Sequence, residues 1–424
     1  MTDHKETKDM LGRGGLISVS RAQQLLRENL RAPVASSEEV LLAEALDRVL
    51  ATDVVAPENL PAAPRSTMDG FAVRAADTYG ASESMPCYLS VTGEVLMGKP
   101  CEGDVNVGCC HKVPTGGLIP AGADSVVMFE HTVPVDETMI EVVKGVGTGT
   151  NLIQSGEDIR KDAKALPAGH RIRPQDLGLL AGLGIDRVKV VAPVRVGILS
   201  TGDEIIPHTQ VPKPGQIRNI NSIALAGAVT RAHGIYTDYG IVSDRKEIFL
   251  PAVEKAIAEN DIVLFSGGSS VGVRDLGQQV VEEVGPPGIL VHGVTLKPGK
   301  PVLIGMSGAT PVFGLPGHPV SAMVCFDLFV QPTIAALSGL PPEYGLPRPS
   351  ITARLTRNIN SAPGRLDVVR VQLQQTDSKT WKAEPVLGKS GSISTLSRAH
   401  GYFLIDEASQ GVQENSTIKV FLYI

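Results

Sequence analysis

Three apolar, strand-like runs between Asp261 and Ser321 each end in glycines followed by hydroxyl, carboxyl or amino side chains. The stretch reads DIVLFSGGSSVGVRD, then TLKPGKP, then VFGLPGHPVS. Glycine permits positive φ and lets a ligand approach the main chain. Residues between a strand and the next helix lie at the carboxyl edge of a parallel sheet, where open α/β folds bind ligands. One such turn would be only a turn. Three with complementary chemistry predict one site assembled from successive loops.

The chain around this stretch alternates as a parallel sheet requires. VRVGILS is a strand with TGDEI as its exit loop, and residues 221–232 form a helix with Ile223, Ala226, Val229 and Ala232 at helical spacing. YTDYGIV is the next strand, and SDRKEIFLPAVEKAIAEN the next helix, with Phe249, Val253, Ala256 and Ile257 facing inward. DIVLFS follows, LVHGVTL and VLIGMS extend the sheet, VFGL closes it, and a helix begins at Pro319. These runs define an α/β domain over residues 194–346.

At 424 residues the chain exceeds one ordinary core, so further domains are expected. Residues 1–15 form a polar tail. Ser18–Leu30 reads as a helix with Ala22, Leu25, Leu26 and Leu30 on one face, and about Ser37–Leu50 as a second, capped by Ser36 or Ser37, with Leu42, Ala45, Leu46 and Val49 inward. Short β-type runs from residue 56 to 160, after Pro57, Pro61 and Pro64, predict a small β-domain. Residues 161–193, with the helical DLGLLAGLG, are expected to return and pack on the first two helices, giving a discontinuous helical domain over 16–55 and 161–193. Past residue 347, ITARLTRNI, DVVRVQLQQ, TWKAEPV and STIKVFLYI predict a C-terminal β-domain to residue 424.

A net charge of −6 argues against a nucleic-acid partner, so any anion must be held by local lysines, arginines and backbone amides. Cys87, Cys101, Cys109, Cys110 and Cys325 are an odd set without a disulfide pattern, which fits a reducing compartment. Cys109-Cys110-His111 lacks a second pair at zinc-site spacing and reads as thiols on a strand. MTDHKETKDM has no signal-peptide core, and no apolar run reaches the roughly 20 residues of a membrane span. The expected location is the cytoplasm.

Glu204 in the TGDE exit loop, Asp244 after the second strand and Asp275 after the third could together hold one Mg²⁺, an ion that takes a few carboxylates plus substrate phosphates. The plainer alternative is helix capping, since Asp244 with Glu247 and Asp275 with Gln278 both resemble capping boxes. SGGSSVG at 266–272 offers backbone N–H groups suited to an anion, but it is no Walker A loop, and neither is LGKS at 387–390. Lys297 and Lys300 flank a Pro-Gly turn and suit a polyanion better than bulk solvent. Ser321 lies just inside the helix opened by Pro319, whose N-terminus favours anions. MDG at 68–70, distant in sequence, would by itself be a turn.

In chain order, STMDGFAV, PTGGLIPAGADSVVM, SGEDI, ILSTGDEI, GQI followed by Asn221, SGGSSVG with Asp275, KPGKP and GLPGHPVSA resemble the MoeA/gephyrin E-domain family of molybdopterin molybdenumtransferases. The resemblance runs from about residue 16 onward. It implies an elongated helical domain, an inserted β-domain, a three-layer α/β molybdopterin-binding domain like MogA and MoaB, and a β-barrel-like C-terminal domain. It also implies a homodimer whose composite active site takes Asp69 and Thr115 from the second subunit. The implied reaction takes adenylylated molybdopterin and molybdate, cleaves the adenylate with Mg²⁺, and yields molybdenum cofactor and AMP. A molybdopterin adenylyltransferase would act upstream and molybdoenzymes would receive the product, with no nucleic acid and no membrane involved.

Carried onto this chain, the resemblance gives Asp69, Thr115, Glu204, Asp244 and Asp275 catalytic or metal roles. Lys297, Lys300, Pro301, Ser321, Arg370 and Ser392 become the molybdate set. Gly202, Asp203, Gly267, Gly268, Ser269, Ser270, Gly272, Pro316 and Gly317 become the pterin and phosphate cradle. Departures from the family pattern are His318 for an asparagine, Ser269 for a valine, Val273 and Arg274 where an acid often precedes Asp275, Ser155 for an arginine, and Arg65 before the MDG motif. They bear on molybdate versus tungstate. A nonenzymatic cofactor-binding scaffold and a phosphate-chemistry enzyme sharing only the α/β domain are the competing readings. A scaffold has no need of this set of carboxylates and lysines together, and the two β-domains speak against the other.

Overall fold

Four strand ends stand in one row at the carboxyl edge of the central sheet. In the computed structural model, strands β1 (Arg195–Thr201), β2 (Ile235–Val242), β3 (Ile262–Gly267) and β6 (Thr310–Pro316) run parallel in the order β2-β1-β3-β6. Their register pairs Thr201 with Val242 and with Gly267, and Gly267 with Pro316. The row is tight: a Cβ on Gly267 would stand 1.6 Å from the Thr201 carbonyl oxygen, so only glycine fits there. The structure describes residues 15–30, 36–267, 271–340, 349–376 and 380–423, with residues 271–275 described for the backbone alone.

β4 (Pro287–His292) and β5 (Leu303–Ser307) extend the sheet beyond β6 as an antiparallel pair. The sequence reading runs LVHGVTL into this sheet as one strand. Instead the chain leaves at His292, and Leu296–Lys297 pairs with Leu366–Asp367 of the C-terminal domain. The turn between them is closed by the Val294 amide donating to the Lys300 carbonyl and Gly293 to Val302.

Alternate residues of β1 serve opposite faces, as the two-residue strand period dictates. Val196 and Ile198 join one core with Leu225, Phe313 and Phe329, and Leu199 joins another with Phe249, Val253, Phe265 and Val280. Helices Asn221–Arg231 and Pro319–Leu337 cover the first face, and Lys246–Glu259 and Val271–Glu283 cover the second. That makes three layers. The helix Val19–Asn29, capped by the Ser18 hydroxyl, inserts Val19, Ala22 and Leu26 into the first core. The expectation that it packs on residues 161–193 therefore gives way to burial on the α/β domain.

Pro319–Leu337 is 19 residues long and apolar enough to cross a membrane by length and composition alone. It is a core helix: Phe326, Phe329 and Val330 are buried. Its turn widens to π geometry at Phe326–Val330. Pro332 has no N–H for the Leu328 carbonyl four residues back. Gln23 Nε2, from the Val19–Asn29 helix, donates to that carbonyl at 2.9 Å.

The C-terminal domain is a closed barrel. Leu366–Gln375, Trp381–Pro385, Ser350–Leu355, Thr417–Leu422 and Gly401–Ile405 pair in that order, and Gly401–Ile405 pairs back to Leu366–Gln375. Leu355, Val371, Leu373, Phe403 and Val420 fill it, while Val368 and Tyr402 join the α/β core.

A second compact unit comprises residues 39–46 and 52–190. Its six-stranded sheet has the order Ser125–Met128, Gly70–Val73, Cys109–Val113, Cys87–Glu94, Met139–Val142, Thr132–Pro134. Cys110 lies within it, its thiol pushed up to about 12 by burial. The helix Pro174–Gly182 forms as expected, with the Asp176 carboxylate accepting from the Arg173 amide.

The predicted helix over Ser37–Leu50 does not form. Ser37–Leu41 is a strand and Leu42–Glu44 a 3₁₀ turn. The Ala192 amide donates to the Ser36 carbonyl and the Leu42 amide to the Asp186 carbonyl, so backbone bonding goes across rather than along the chain. Ala45, Val49 and Leu50 are buried while Leu42 is only part-buried and Leu46 is exposed, so the apolar spacing is served by a turn and extended chain.

Candidate active site

A cavity of about 770 Å³ opens between the carboxyl edge of the sheet and the C-terminal barrel. Gly267, Pro316 and Gly317 reach it from strand ends, Lys297, Lys300 and Pro301 from the turn, Ser321 from the helix, and Arg370 from the barrel. Eight of the residues singled out from sequence thus line one space. Ser392 does not line it, but its loop neighbours Gly388, Lys389 and Ser390 do.

Arg370 is the chemical centre of this cavity. Its residue is 6% exposed, its Nη2 donates to the Gly388 carbonyl at 3.4 Å, and its buried Nε has no hydrogen-bond partner. Burial pulls the guanidinium below the usual arginine pKa. Arg370 lines the cavity as a buried cation with an unsatisfied donor, which suits an anion. Two further buried atoms without partners belong to the same region, Ser266 Oγ at the end of β3 and Asn221 Oδ1, whose Nδ2 donates to the Gly317 carbonyl at 2.9 Å.

The lysines are held differently. The Lys297 ammonium lies 3.7 Å from Asp367, a carboxylate also bound by Arg365 Nε at 2.7 Å. Asp367 is 4% exposed, and pairing of Leu296–Lys297 with Leu366–Asp367 sets it beside the lysine. Lys300 is exposed at the far end of the turn. A carboxylate thus orients one cation and leaves Lys300 and Arg370 for a ligand.

The carboxylates sit along the same edge. Asp244 accepts a short hydrogen bond from the buried Thr201 hydroxyl, and Ser243 Oγ donates to Asp203 at 3.1 Å, which joins the exit loops of β1 and β2. Gly202 has φ +148, and a Cβ there would lie 2.8 Å from Glu204 Oε2. Asp244 does not cap the next helix, which starts at Lys246 with no side-chain cap. Asp275 lies inside the helix that starts at Val271, not at its cap, so neither capping alternative holds. Gly272 is also in that helix; Gly268, Ser269 and Ser270, and the side chain of Asp275, lie outside the described residues. Among the described residues no group of three acidic, His or Cys side chains is poised on a metal. Two carboxylates on adjacent loops still fit Mg²⁺, which is commonly held by one or two carboxylates and completed by substrate phosphates.

In the second unit the structure brings Asp69 and Thr115 together, the Thr115 amide donating to Asp69 Oδ1 at 2.7 Å. Both side chains are exposed. Gly70 closes the MDG turn because a Cβ there would stand 2.0 Å from the Val127 carbonyl oxygen. Arg65 Nη1 donates to the neighbouring Gly116 carbonyl at 2.8 Å. Sequence reasoning missed Asp367, and it set Lys389 and Ser390 aside with LGKS when that run failed as a Walker A loop.

Family models match in three blocks: "MoeA N-terminal region (domain I and II)" over residues 17–184, "Probable molybdopterin binding domain" over 197–336, and "MoeA C-terminal region (domain IV)" over 352–423. The chain is 32% identical over 407 residues to the molybdopterin molybdenumtransferase of Haemophilus influenzae, covering 96% of this chain and 98% of that one. It is 34% identical over 411 residues to molybdopterin molybdenumtransferase 2 of Mycobacterium tuberculosis, with 95% and 99% covered. The solved structure of the molybdopterin biosynthesis moeA protein from Pyrococcus horikoshii OT3 superposes with TM-score 0.83 at 33% identity, covering 96% of this chain and all of that one.

Proposed function

The chain belongs to the MoeA family of molybdenum cofactor biosynthesis, and from that membership we propose that it is a molybdopterin molybdenumtransferase that inserts molybdate into adenylylated molybdopterin and releases AMP. The observation that carries this reading is Arg370, a buried guanidinium that lines a cavity together with Lys297 and Lys300. Molybdate is a compact dianion, and three cations around one pocket offset its charge and that of the pterin phosphate.

Arg370, Lys300 and Ser321 bind the oxyanion in this reading, with Lys297 held ready by Asp367, Pro301 shaping the pocket, and Ser392 backing the lining loop through its amide bond to the Lys389 carbonyl. The strand-end row of Gly202, Asp203, Gly267, Pro316 and Gly317, continued by Gly268, Ser269, Ser270 and Gly272, cradles the pterin and its phosphate. Glu204, Asp244 and Asp275 would hold Mg²⁺, which supplies charge neutralisation at the phosphate that leaves with AMP. The Thr201 hydroxyl fixes Asp244 for that purpose. Asp69 and Thr115 complete the site from a second copy of the chain in a homodimer.

Purified protein given adenylylated molybdopterin, molybdate and Mg²⁺ is expected to release AMP and form cofactor that reactivates an apo-molybdoenzyme. Chelation with EDTA is expected to stop AMP release and Mg²⁺ to restore it. Asp244→Ala is expected to lower turnover about a hundredfold without loss of secondary structure, the scale of one transition-state charge contact. AMP release at the level of heat-treated protein would sink the proposal. Tungstate in place of molybdate reports the metal preference.

A further inference from the structure

The loop from Leu387 to Ser392 belongs to the C-terminal barrel, yet it is anchored on the α/β domain through one residue, Ser390. The Val320 amide donates to the Ser390 carbonyl at 3.1 Å, and Ser390 Oγ lies 2.8 Å from His318 Nδ1. Among the described residues these are the hydrogen bonds that join residues 387–391 to the α/β domain. Gly388, Lys389 and Ser390 line the cavity, and Lys389 is exposed with no ion partner among the described residues. The first amide of the helix after Pro319, an expected anion donor, is thus spent on the loop.

His318 is a rigid post for such an anchor. Its own carbonyl accepts from the Ala322 amide at 3.0 Å, and the carbonyl of Gly317 before it accepts from Asn221 Nδ2. Its backbone is extended at φ −72, ψ 125, with Pro319 fixing the next residue. The backbone bond from Val320 holds the Ser390 peptide but leaves its side chain free to rotate. The imidazole removes that freedom.

We propose that His318 is a positioning residue: through Ser390 it holds the Leu387–Ser392 loop closed on the cavity, so that Lys389 and Ser392 are in place before the oxyanion arrives. Preorganised contacts of this kind raise affinity by lowering the ordering cost of binding. The oxyanion in this statement rests on the function proposed above.

His318 is exposed, so its replacement leaves the core intact. His318→Ala is expected to raise the molybdate KM about three- to tenfold, the size of one net hydrogen bond, with kcat within about twofold. Asparagine carries its amide atoms at the bonded position of Nδ1, so His318→Asn is expected to restore the wild-type KM, whereas His318→Gln, one bond longer, is not. Ser390→Ala should match His318→Ala, and the double variant should be no worse than either single one. Without any substrate, amide hydrogen exchange across residues 387–393 should quicken in both alanine variants and stay slow in His318→Asn. Unchanged exchange in the alanine variants, a fall in kcat with KM unmoved, or failure of asparagine to rescue would each overturn the inference. Should wild-type protein show no molybdate-dependent turnover, the functional reading falls instead, and the exchange measurement still decides whether the latch exists.

Discussion

Arg370 loses hydration on folding and recovers one hydrogen bond at 3.4 Å through Nη2, while its Nε recovers none. Removing such a cation costs little stability, because an unpaired buried charge destabilises the folded state. Arg370→Met is therefore expected to leave the thermal midpoint unchanged or raised while weakening molybdate binding at least about tenfold, measured by calorimetry beside a melt. A fall in both would mean the residue is structural. Asp176 is the opposite case, a buried carboxylate bound by the Arg173 side chain at 2.9 Å and by His170 at 2.7 Å. Those bonds, Arg173's first, hold its pKa well below the carboxylate range. A depressed folded pKa gives stability that is complete above the unfolded value near 4 and lost as pH falls through the folded one. Asp176→Asn is expected to cost about 1–2 kcal/mol in denaturant melts at pH 7, and the gap to wild type should narrow as the melts are taken below about pH 4. Sequence singles out Arg370 only through resemblance, since nothing in DVVR tells which residue will be enclosed. Gly267 is different. A glycine ending an apolar run already signals close backbone approach, and its contact with Thr201 is that approach.

The helix from Pro319 to Leu337 shows where periodicity stops being informative. Its composition reads as helix throughout, and it is one, but nothing in the sequence says that Gln23 supplies a donor from a helix some three hundred residues earlier. Gln23→Ala is expected to destabilise by about 1 kcal/mol by leaving the Leu328 carbonyl unbonded. In a Pro332→Ala background that penalty should shrink, because residue 332 regains an N–H, and a double-mutant cycle in urea measures the coupling. Equal penalties in both backgrounds would mean that Gln23 acts by packing alone. Ser37–Leu50 failed as a helix for a related reason. Leu42, Ala45, Leu46 and Val49 have helical spacing, but distant backbone partners at Asp186 and Ala192 favour extended chain. VTL at 294–296 likewise reads as a continuation of β4, and only Leu366 and Asp367 across the domain show why it leaves. Local signals identified the central strands of the α/β sheet well because Arg195–Thr201, Ile262–Gly267 and Thr310–Pro316 are buried on both faces.

At the scale of the molecule, the Asp69–Thr115 pair in residues 52–190 and the cations of the α/β domain and barrel are carried by separate compact units of one chain. If a second copy completes each site, Asp69→Ala and Lys300→Ala variants should each be inactive alone, while a mixture allowed to exchange subunits should recover up to about a quarter of wild-type turnover. Equal activity of the mixture and its components would exclude shared sites. The order in which the barrel strands are made has its own consequence. The ring stays open until Thr417–Leu422 pairs with both Ser350–Leu355 and Gly401–Ile405, and that strand is synthesised after the other four. Until then Leu366–Gln375, which carries Arg370, belongs to an unclosed sheet with free edges. During translation the lysines of the α/β domain emerge first and the anion pocket is walled last, so a nascent chain halted before Thr417 would hold the pterin edge of the site without the wall that encloses the metal oxyanion.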